Sequence, residues 1–437
     1  MKRFLLILLT CSLILTGCSS ITNKNSSKDS SIVVYYVKGH PFYENAITAY
    51  RKSNPNTELK AVEFDSEDTL AQKYSAEVSI GEGPDVLLLT DTSKIDYLKS
   101  SNGDNYLDLT LLLQQDKSYN KDNYFEIVME AGKINNRQYA LPITFDLGLV
   151  HIRDQALEEM DNPELVGLNF NDFSQKVMEY QNKLSNSDGI KVVLLLSFNP
   201  TVSNLINMSR IAGTNLIDVD QESVAINKEE LLNLCDFTKA GQSELFNKMD
   251  EIQGLGANFS YYTGFILSRG NIPLLARQGE ITTEVNANQT ISVFGLPCYK
   301  EKNFHATIKD YGVVSSKSKN PEESYAFLRY LMDFSLEARS DQVGNPINRK
   351  VFSYQLETLR KQNKAYVGNT TLTINQMKEE NYNSISEMMN KISSASMVYS
   401  DVEEILESTM SAYINDKDSF DNCYEQLVNR LELYLKE

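Results

Sequence analysis

Short apolar runs alternate with amphipathic segments in the first part of the chain. Residues 32–36 form an unbroken apolar, β-branched run, which predicts a strand buried on both faces. Apolar residues at helical spacing over 42–52 predict a helix. The same patterns predict a second strand over 59–64, a second helix over 69–80 and a third strand over 86–89.

This order of elements predicts an α/β fold with a parallel sheet. Consecutive strand–helix–strand units are joined by right-handed crossovers in nearly all proteins. In open sheets of this kind, ligands bind beyond the carboxyl ends of the strands. The loops 38–42, 65–66 and 90–92 follow the three predicted strands, so we expect them at that edge.

The first 18 residues have the pattern of a lipoprotein leader. Lys2 and Arg3 precede an apolar stretch over 4–15, which is too short to cross a ~30 Å hydrocarbon core as a stable helix. The segment 15–18, Leu-Thr-Gly-Cys, has the form of a lipobox. It predicts cleavage before Cys18 and a diacylglycerol on the Cys18 sulfur, whose two chains would give stable attachment. An ordinary signal peptide with a chance cysteine is the alternative.

The leader predicts an extracytoplasmic location, and a tether follows it. Residues 1–17 are the predicted signal peptide, and the expected location is the extracytoplasmic face of the cell membrane, lipid-anchored. Residues 18–30 are rich in Ser, Asn, Lys and Thr, and such a segment buries too little apolar surface to offset its ordering entropy. It is predicted to be a flexible tether.

Size and charge narrow the class of protein. The roughly 400 residues that remain exceed what one hydrophobic core usually supports, so two lobes are expected. The formal charge is −17, and loss of Lys2 and Arg3 with the leader takes it to −19. So acidic a body argues against nucleic acid and polyanionic ligands as partners.

Neither the cysteines nor the other ligating residues predict a metal or a cofactor. Cys235, Cys298 and Cys423 are widely spaced, and free thiols are favoured over a disulfide between two of them. The adjacent tyrosines 261 and 262 could ligate iron, but the three histidines of the chain are scattered. The acidic segment 218–222 lacks the glycine of a calcium loop and is expected to be a surface turn.

Segments spread over nearly the whole mature chain resemble those of one known family. In chain order they are Gly-Glu-Gly-Pro-Asp-Val at 81–86, Gly-Lys-Ile at 132–134, Gln-Tyr-Ala-Leu-Pro at 138–142, and the stretches 149–157, 171–173, 265–279, 312–328 and 344–349. Together the chain resembles the family 1 extracellular solute-binding proteins, the group that includes maltose-type binding proteins.

The resemblance implies a two-lobed periplasmic-binding-protein-like fold of type II, whose parallel-sheet lobes are joined by hinge strands. Lobe 1 would take residues 31–144 and 312–350, and lobe 2 would take 145–311 and 351–437. It also implies a monomer that captures a small solute, most often a carbohydrate, by hinge closure and delivers it to the membrane permease subunits of an ABC importer.

Two further helix predictions concern the second part of the chain. Asn320 fits an N-cap and Pro321 the first helical position, which predicts a helix start. Apolar residues at helical spacing after Val402 predict two C-terminal helices, packed against lobe 2. A partner-binding amphipathic stripe is the alternative for these two.

Candidate ligand-binding residues follow from strand ends, from the hinge and from the need for aromatic faces. A sugar site combines flat rings with carboxylates, amides or arginines, and the chain has no Trp, so Tyr and Phe would have to supply the rings. For each residue, a core aromatic or a solvated loop acid is the alternative. The candidates are His40, Phe42, Asp65, Asp91, Phe145, Asp146, Tyr261, Tyr262, Tyr299 and Tyr311.

An enzyme is the less favoured interpretation. The sequence has no His-Glu-x-x-His motif, no Gly-x-Ser-x-Gly elbow and no Walker-type loop. A glycosidase-type carboxylate pair stays open, because 59 acidic residues guarantee chance pairs. A surface lipoprotein without a transporter, acting as a sensor accessory or interaction protein, is the third possibility. The sequence does not name the ligand.

Overall fold

A computed structural model of the chain describes most of the mature body. The described residues are 30–102, 104–159, 165, 167–185, 194–195, 203–240, 265–287, 290–334, 344–367 and 370–436. The predicted leader and nearly all of the predicted tether lie outside them.

The five elements predicted for the first part of the chain are confirmed. β1 (Ser30–Val37) lies between β2 (Thr57–Phe64) and β3 (Val86–Thr90), and both pairings are parallel. α1 (Pro41–Ser53) and α2 (Glu67–Val78) connect the three strands. Strand and helix alternate here as the apolar pattern predicts.

The elements of the rest of the chain vary widely in length. In order they are α3 (Tyr97–Asn102), α4 (Thr110–Gln115), a 3-10 turn (Lys121–Asn123), α5 (Glu126–Glu130), β4 (Lys133–Ile134), β5 (Arg137–Gln138), β6 (Ala140–Arg153), α6 (Asp154–Glu159), α7 (Phe170–Ser185), β7 (Leu194–Leu195), α8 (Ser203–Ala212), β8 (Ile217–Asp218), β9 (Ser223–Val224), α9 (Lys228–Ala240), β10 (Phe265–Gly270), α10 (Ile272–Ala287), β11 (Ile291–Gly295), β12 (Phe304–Val314), α11 (Pro321–Asp333), β13 (Asn345–Pro346), α12 (Arg349–Arg360), β14 (Lys364–Val367), β15 (Thr370–Thr373), α13 (Glu379–Asn390), β16 (Ile392–Ser396), α14 (Ser400–Ile414) and α15 (Phe420–Lys436).

Side-chain hydrogen bonds at two of the helix starts differ from what the sequence predicts. α2 begins at Glu67, two residues early, because Ser66 and Thr69 form a capping box. α11 begins at Pro321 as predicted, but the Asn320 side chain makes no cap bond. Its amide donates instead to the carbonyl of Ser31, 2.7 Å away, so it holds β1 rather than the helix.

Two long antiparallel strands, β6 and β12, run through the middle of the main sheet. The described strands of this sheet follow the order β2-β1-β3-β12-β6-β10-β7. All fourteen residues of β6 are buried. β6 pairs with β12 up to Asp146, and from Leu147 onward it pairs with β10 and β11. We call β6 and β12 the crossing strands, because both halves of the sheet share them.

The crossing strands separate two groups of elements. The first half comprises β1, β2 and β3 with their helices. The second half comprises β7, β10 and β11 with α8, α9 and α14. α8 packs closely on this half, since a Cβ placed on Gly148 of β6 would lie 2.5 Å from the Ile211 side chain. The lobe boundaries given above stay a prediction.

The C-terminal helices and the cysteines agree with the sequence. α14 and α15 pack on each other, and α14 also packs on α8 and α9. α15 reaches the first half as well, where the Tyr434 hydroxyl donates to the Asp96 carboxylate over 2.8 Å. Cys235, Cys298 and Cys423 are free and buried, as predicted. Among the residues described, no helix is long and apolar enough to span a membrane.

Asn345 ties the crossing strand β6 to β10 and α10. Its amide donates to the carbonyls of Phe145 and Gly270, each over 2.9 Å, and its oxygen accepts from the backbone of Ile272 over 2.9 Å. The side chain is fully buried. All three backbone groups therefore depend on one amide.

We expect Asn345→Ala to destabilise the protein by about 2–4 kcal/mol, because it leaves three buried backbone groups without this partner. Chemical denaturation would measure the change. Asn56→Ala, in an exposed turn, is the control and should shift stability by no more than ~0.5 kcal/mol. Equal stability of the two variants would contradict this role of Asn345.

Candidate functional site

Buried charges meet where the two halves of the sheet join. Asp91 follows β3, Asp146 and Lys309 lie on the crossing strands, Arg269 lies on β10 and Arg210 on α8. Glu403 of α14 completes the group through Arg210. We call these six residues the Asp91 cluster.

Asp91 is the centre of the cluster. One carboxylate oxygen accepts from Lys309 Nζ at 2.6 Å, and the other accepts from Arg210 Nη1 at 2.8 Å and from Arg269 Nη2 at 3.0 Å. The Asp91 side chain is 1% exposed. Burial raises its pKa, but attraction to Arg269, Lys309 and Arg210 outweighs burial, and the pKa of Asp91 lies below its usual value. Asp91 is therefore a buried, ionised carboxylate.

Arg210 also holds a carboxylate of α14. Its Nε and Nη2 donate to the two oxygens of Glu403 at 2.6 and 2.5 Å, a bidentate pair. Burial lowers the pKa of Arg210, but Glu403 and Asp91 together raise it above its ordinary value. One guanidinium thus joins α14 to the loop after β3.

Asp146 and Arg269 form a looser pair. Arg269 Nη1 lies 3.4 Å from Asp146 Oδ2, and among the described residues neither this nitrogen nor Asp146 Oδ1 has a hydrogen-bond partner. Burial raises the pKa of Asp146 to about 6, although Arg269 and Lys309 act in the opposite direction. Asp146 therefore changes charge near neutral pH.

A second polar chain runs beside the cluster on the same strands. His40, the N-cap of α1, places Nε2 3.1 Å from Asp310 Oδ1. The Thr144 hydroxyl donates to the other Asp310 oxygen. Asp310 pairs with Thr90 of β3 and Thr144 of β6 across the sheet. The loop before α1 is thereby connected to both crossing strands.

A small cavity adjoins Arg210 and Glu403. Its volume is about 60 Å³, room for a few water molecules. His305 lies in its wall, with its ring nitrogens each 2.9 Å from a hydroxyl, of Ser394 and of Ser396. Burial lowers the pKa of His305 to about 4, so the ring is neutral at physiological pH. The described residues contain no group of three His, Cys, Asp or Glu placed to hold a metal ion.

Comparison with known proteins bears on this arrangement. No family model matches the sequence, and no curated protein matches it. Solved structures do match, and the three described here each cover 93% of this chain. The sugar-binding protein MalE from Xanthomonas citri has a TM-score of 0.65 at 14% identity, with 98% of its own chain covered. The extracellular solute-binding protein family 1 from Alicyclobacillus acidocaldarius has a TM-score of 0.58 at 12% identity, with 98% covered.

A third match is the ABC substrate-binding protein Lmo0181 from Listeria monocytogenes in complex with cycloalternan, with a TM-score of 0.61, 12% identity and 99% of its chain covered. The chain has the fold of the family 1 solute-binding proteins. The predicted two-lobed α/β architecture is thereby confirmed, and identities this low show the fold alone.

Within the solute-binding fold, three of the ten predicted ligand-binding residues lie at the junction of the halves. Asp91 and Asp146 belong to the Asp91 cluster, and His40 belongs to the chain beside it. Asp65 is exposed at the end of β2, where it pairs with Lys38 over 2.5 Å. Ligand contact by these residues stays a prediction.

The predicted aromatic residues are placed differently. Phe42 packs edge-on against Phe334, Phe145 against Phe125, and Tyr311 against Tyr97, all as core side chains. Tyr299 is also buried, and its hydroxyl bonds to the Asn233 side chain. These four fit the core alternative left open above. Tyr261 and Tyr262 lie outside the described residues.

The sequence prediction missed four members of the cluster. They are Arg210, Arg269, Lys309 and Glu403. Arg269 and Lys309 gave a usable signal, because each is a charged residue that follows apolar residues within one strand, and a charge buried in a strand needs a partner. Arg210 and Glu403 lie on amphipathic helices, where a charge usually faces solvent. The sequence therefore gave no indication that these two charges are buried and paired.

We expect Asp146→Asn to change how stability depends on pH. Native Asp146 keeps its proton up to about pH 6, whereas an unfolded aspartate releases it near 3.9, so the wild type loses of the order of 2 kcal/mol from this group between pH 4 and 6. Asparagine cannot ionise. The variant should therefore gain stability relative to the wild type as pH rises through this window.

Denaturation curves of both proteins from pH 4 to 7.5 would measure the difference. Asp65→Asn is the control with the opposite slope, because its hydrogen bond and attraction to Lys38 lower the pKa of Asp65. A stability difference for Asp146→Asn that is flat with pH would contradict the raised pKa.

Proposed function

We propose that this protein is the extracytoplasmic solute-binding subunit of an ABC importer and that its solute is a carbohydrate or oligosaccharide. The fold supports this proposal, because the matched structures are named as sugar-binding or substrate-binding proteins and are covered almost end to end. The observation that carries it is the Asp91 cluster, a set of buried polar groups at the junction of two halves of one sheet.

Carbohydrate is the ligand class that these groups suit best. Sugar hydroxyls both donate and accept hydrogen bonds, and ionised carboxylates and guanidinium groups bind them strongly. The cluster offers Asp91 at 3.0 Å and Asp146 at 3.4 Å from the guanidinium of Arg269. Buried donors and acceptors in fixed positions are also what makes a site selective among polar ligands.

Ligand capture would work by movement of the two halves about the crossing strands. Movement about a hinge is driven by differential affinity for the closed state. β6 changes partners between Asp146 and Leu147, so the halves meet there through two strands. A ligand held by residues of both halves would stabilise the closed arrangement.

Attachment to the membrane and delivery to a permease complete the proposal. The lipobox and the basic, apolar leader support a diacylglycerol on Cys18. The tether would leave the body free to reorient above the lipid headgroups. A permease partner is supported by the likeness to an ABC substrate-binding protein.

We expect the mature protein to bind at least one member of a panel of mono- and oligosaccharides. Thermal shift would identify the sugar, and calorimetry should give a micromolar or tighter Kd, roughly −8 kcal/mol or beyond. Asp146→Ala should weaken that binding at least tenfold, whereas Asp122→Ala, on the exposed 3-10 turn, should not. Chromatography should recover the sugar intact after long incubation.

Two results would count against this function. Failure to bind any sugar of the panel would remove the carbohydrate ligand. Recovery of a cleaved product at catalytic protein levels would instead favour a glycoside hydrolase.

We expect Cys18→Ala to release the protein from the membrane fraction or to leave its precursor unprocessed, because the variant lacks the sulfur that would carry the lipid. Cell fractionation and detergent partitioning would measure this. Cys11→Ala, within the apolar stretch of the leader, is the matched control and should behave as wild type. Normal size and unchanged partitioning of the Cys18 variant would refute lipid attachment at this residue.

A further inference from the structure

Two buried hydrogen bonds connect the first half of the fold to the second half through one carboxylate. Asp91 of the first half accepts from Arg210 at 2.8 Å and from Arg269 at 3.0 Å. The side chains of the two arginines are 12% and 13% exposed. These bonds are charge-assisted and shielded from solvent, so they are stronger than ordinary surface contacts.

Each of the three residues also has a counter-ion that it would keep if the halves separated. Asp91 keeps Lys309 of the crossing strand β12, since the backbone of Asp91 is bonded to that of Lys309. Arg210 keeps Glu403, because both lie in the second half. Arg269 keeps Asp146 of the crossing strand β6.

These second partners lower the free energy that is needed to separate the two halves. Removing one partner of a buried ion pair is usually strongly destabilising, because a charge is left uncompensated. Here no charge would be left alone. Arg269 Nη1 and Asp146 Oδ1, which have no hydrogen-bond partner within the part of the chain that the structure describes, could form a closer pair after Asp91 has moved away.

We propose that Asp91, Arg210 and Arg269 form a reversible latch that holds the two halves together in the absence of ligand. A permanent structural ion pair has no need of a second partner for every member, whereas a contact that opens and closes does. Because Asp91 is almost inaccessible, a solute can contact it only after the latch has opened. The latch goes beyond the proposed function and does not depend on which solute is bound.

The exposed contacts between the halves differ from the latch. Lys94 pairs with Glu404 of α14, but these side chains are 45% and 60% exposed. Exposed pairs contribute little to stability and are screened by salt. The Lys94–Glu404 pair therefore provides a matched control that also joins the halves.

Small-angle scattering of the ligand-free protein tests the latch. We expect Asp91→Asn and Arg210→Gln each to increase the radius of gyration, because both remove a bond between the halves. Lys94→Gln should leave it unchanged. Circular dichroism and the melting curve would verify that each variant is folded.

A salt series gives a second measurement, which begins with the wild type alone. The radius of gyration of the wild type should rise between 0.05 and 1 M NaCl, since opening exposes the latch charges to screening. That of Asp91→Asn should be larger at low salt and change less. A wild type that is flat with salt, together with a folded Arg210→Gln of wild-type dimensions, would overturn the latch whatever the outcome of the sugar experiments.

Discussion

The fold depends on a buried strand that has to satisfy its backbone along its whole length. β6 runs for fourteen residues without an exposed position, and an unpaired buried backbone group is costly. Neither half of the protein provides partners for all of it. β12 supplies them as far as Asp146, and β10 and β11 supply them from Leu147. The two halves are therefore joined through one sheet.

The same constraint explains why charges are concentrated at the junction. Three buried aspartates lie where the strand pairing is interrupted. Asp91 follows the end of β3, Asp146 lies where β6 changes partner, and Asp310 lies at a register shift between β12 and β6. Once these carboxylates are buried, each requires a cation or a hydrogen-bond donor. Arg210, Arg269, Lys309, His40 and Thr144 provide them.

The sequence predicts local structure and strand-end residues well, because both follow from short-range pattern. The elements up to Thr90, the helices α14 and α15, and the location of Asp91 come from periodicity and from the position of loops. The location of Asp146 comes from the hinge that the family resemblance implies. Arg210 and Glu403 could not be predicted, because their pairing joins helices almost two hundred residues apart. Asn320 has the right residue type for a cap, but a tertiary contact with Ser31 takes its side chain.

The aromatic candidates illustrate a different limit of sequence reasoning. Tyr311 follows Asp310 on the same strand, and adjacent residues on a strand point to opposite faces. The strand assignment alone does not say which face is the core. The structure places the Tyr311 ring against Tyr97, while Asp310 bonds to His40. A carboxylate at the site therefore accompanies a neighbouring ring in the core, and any stacking surface for a sugar has to come from another segment.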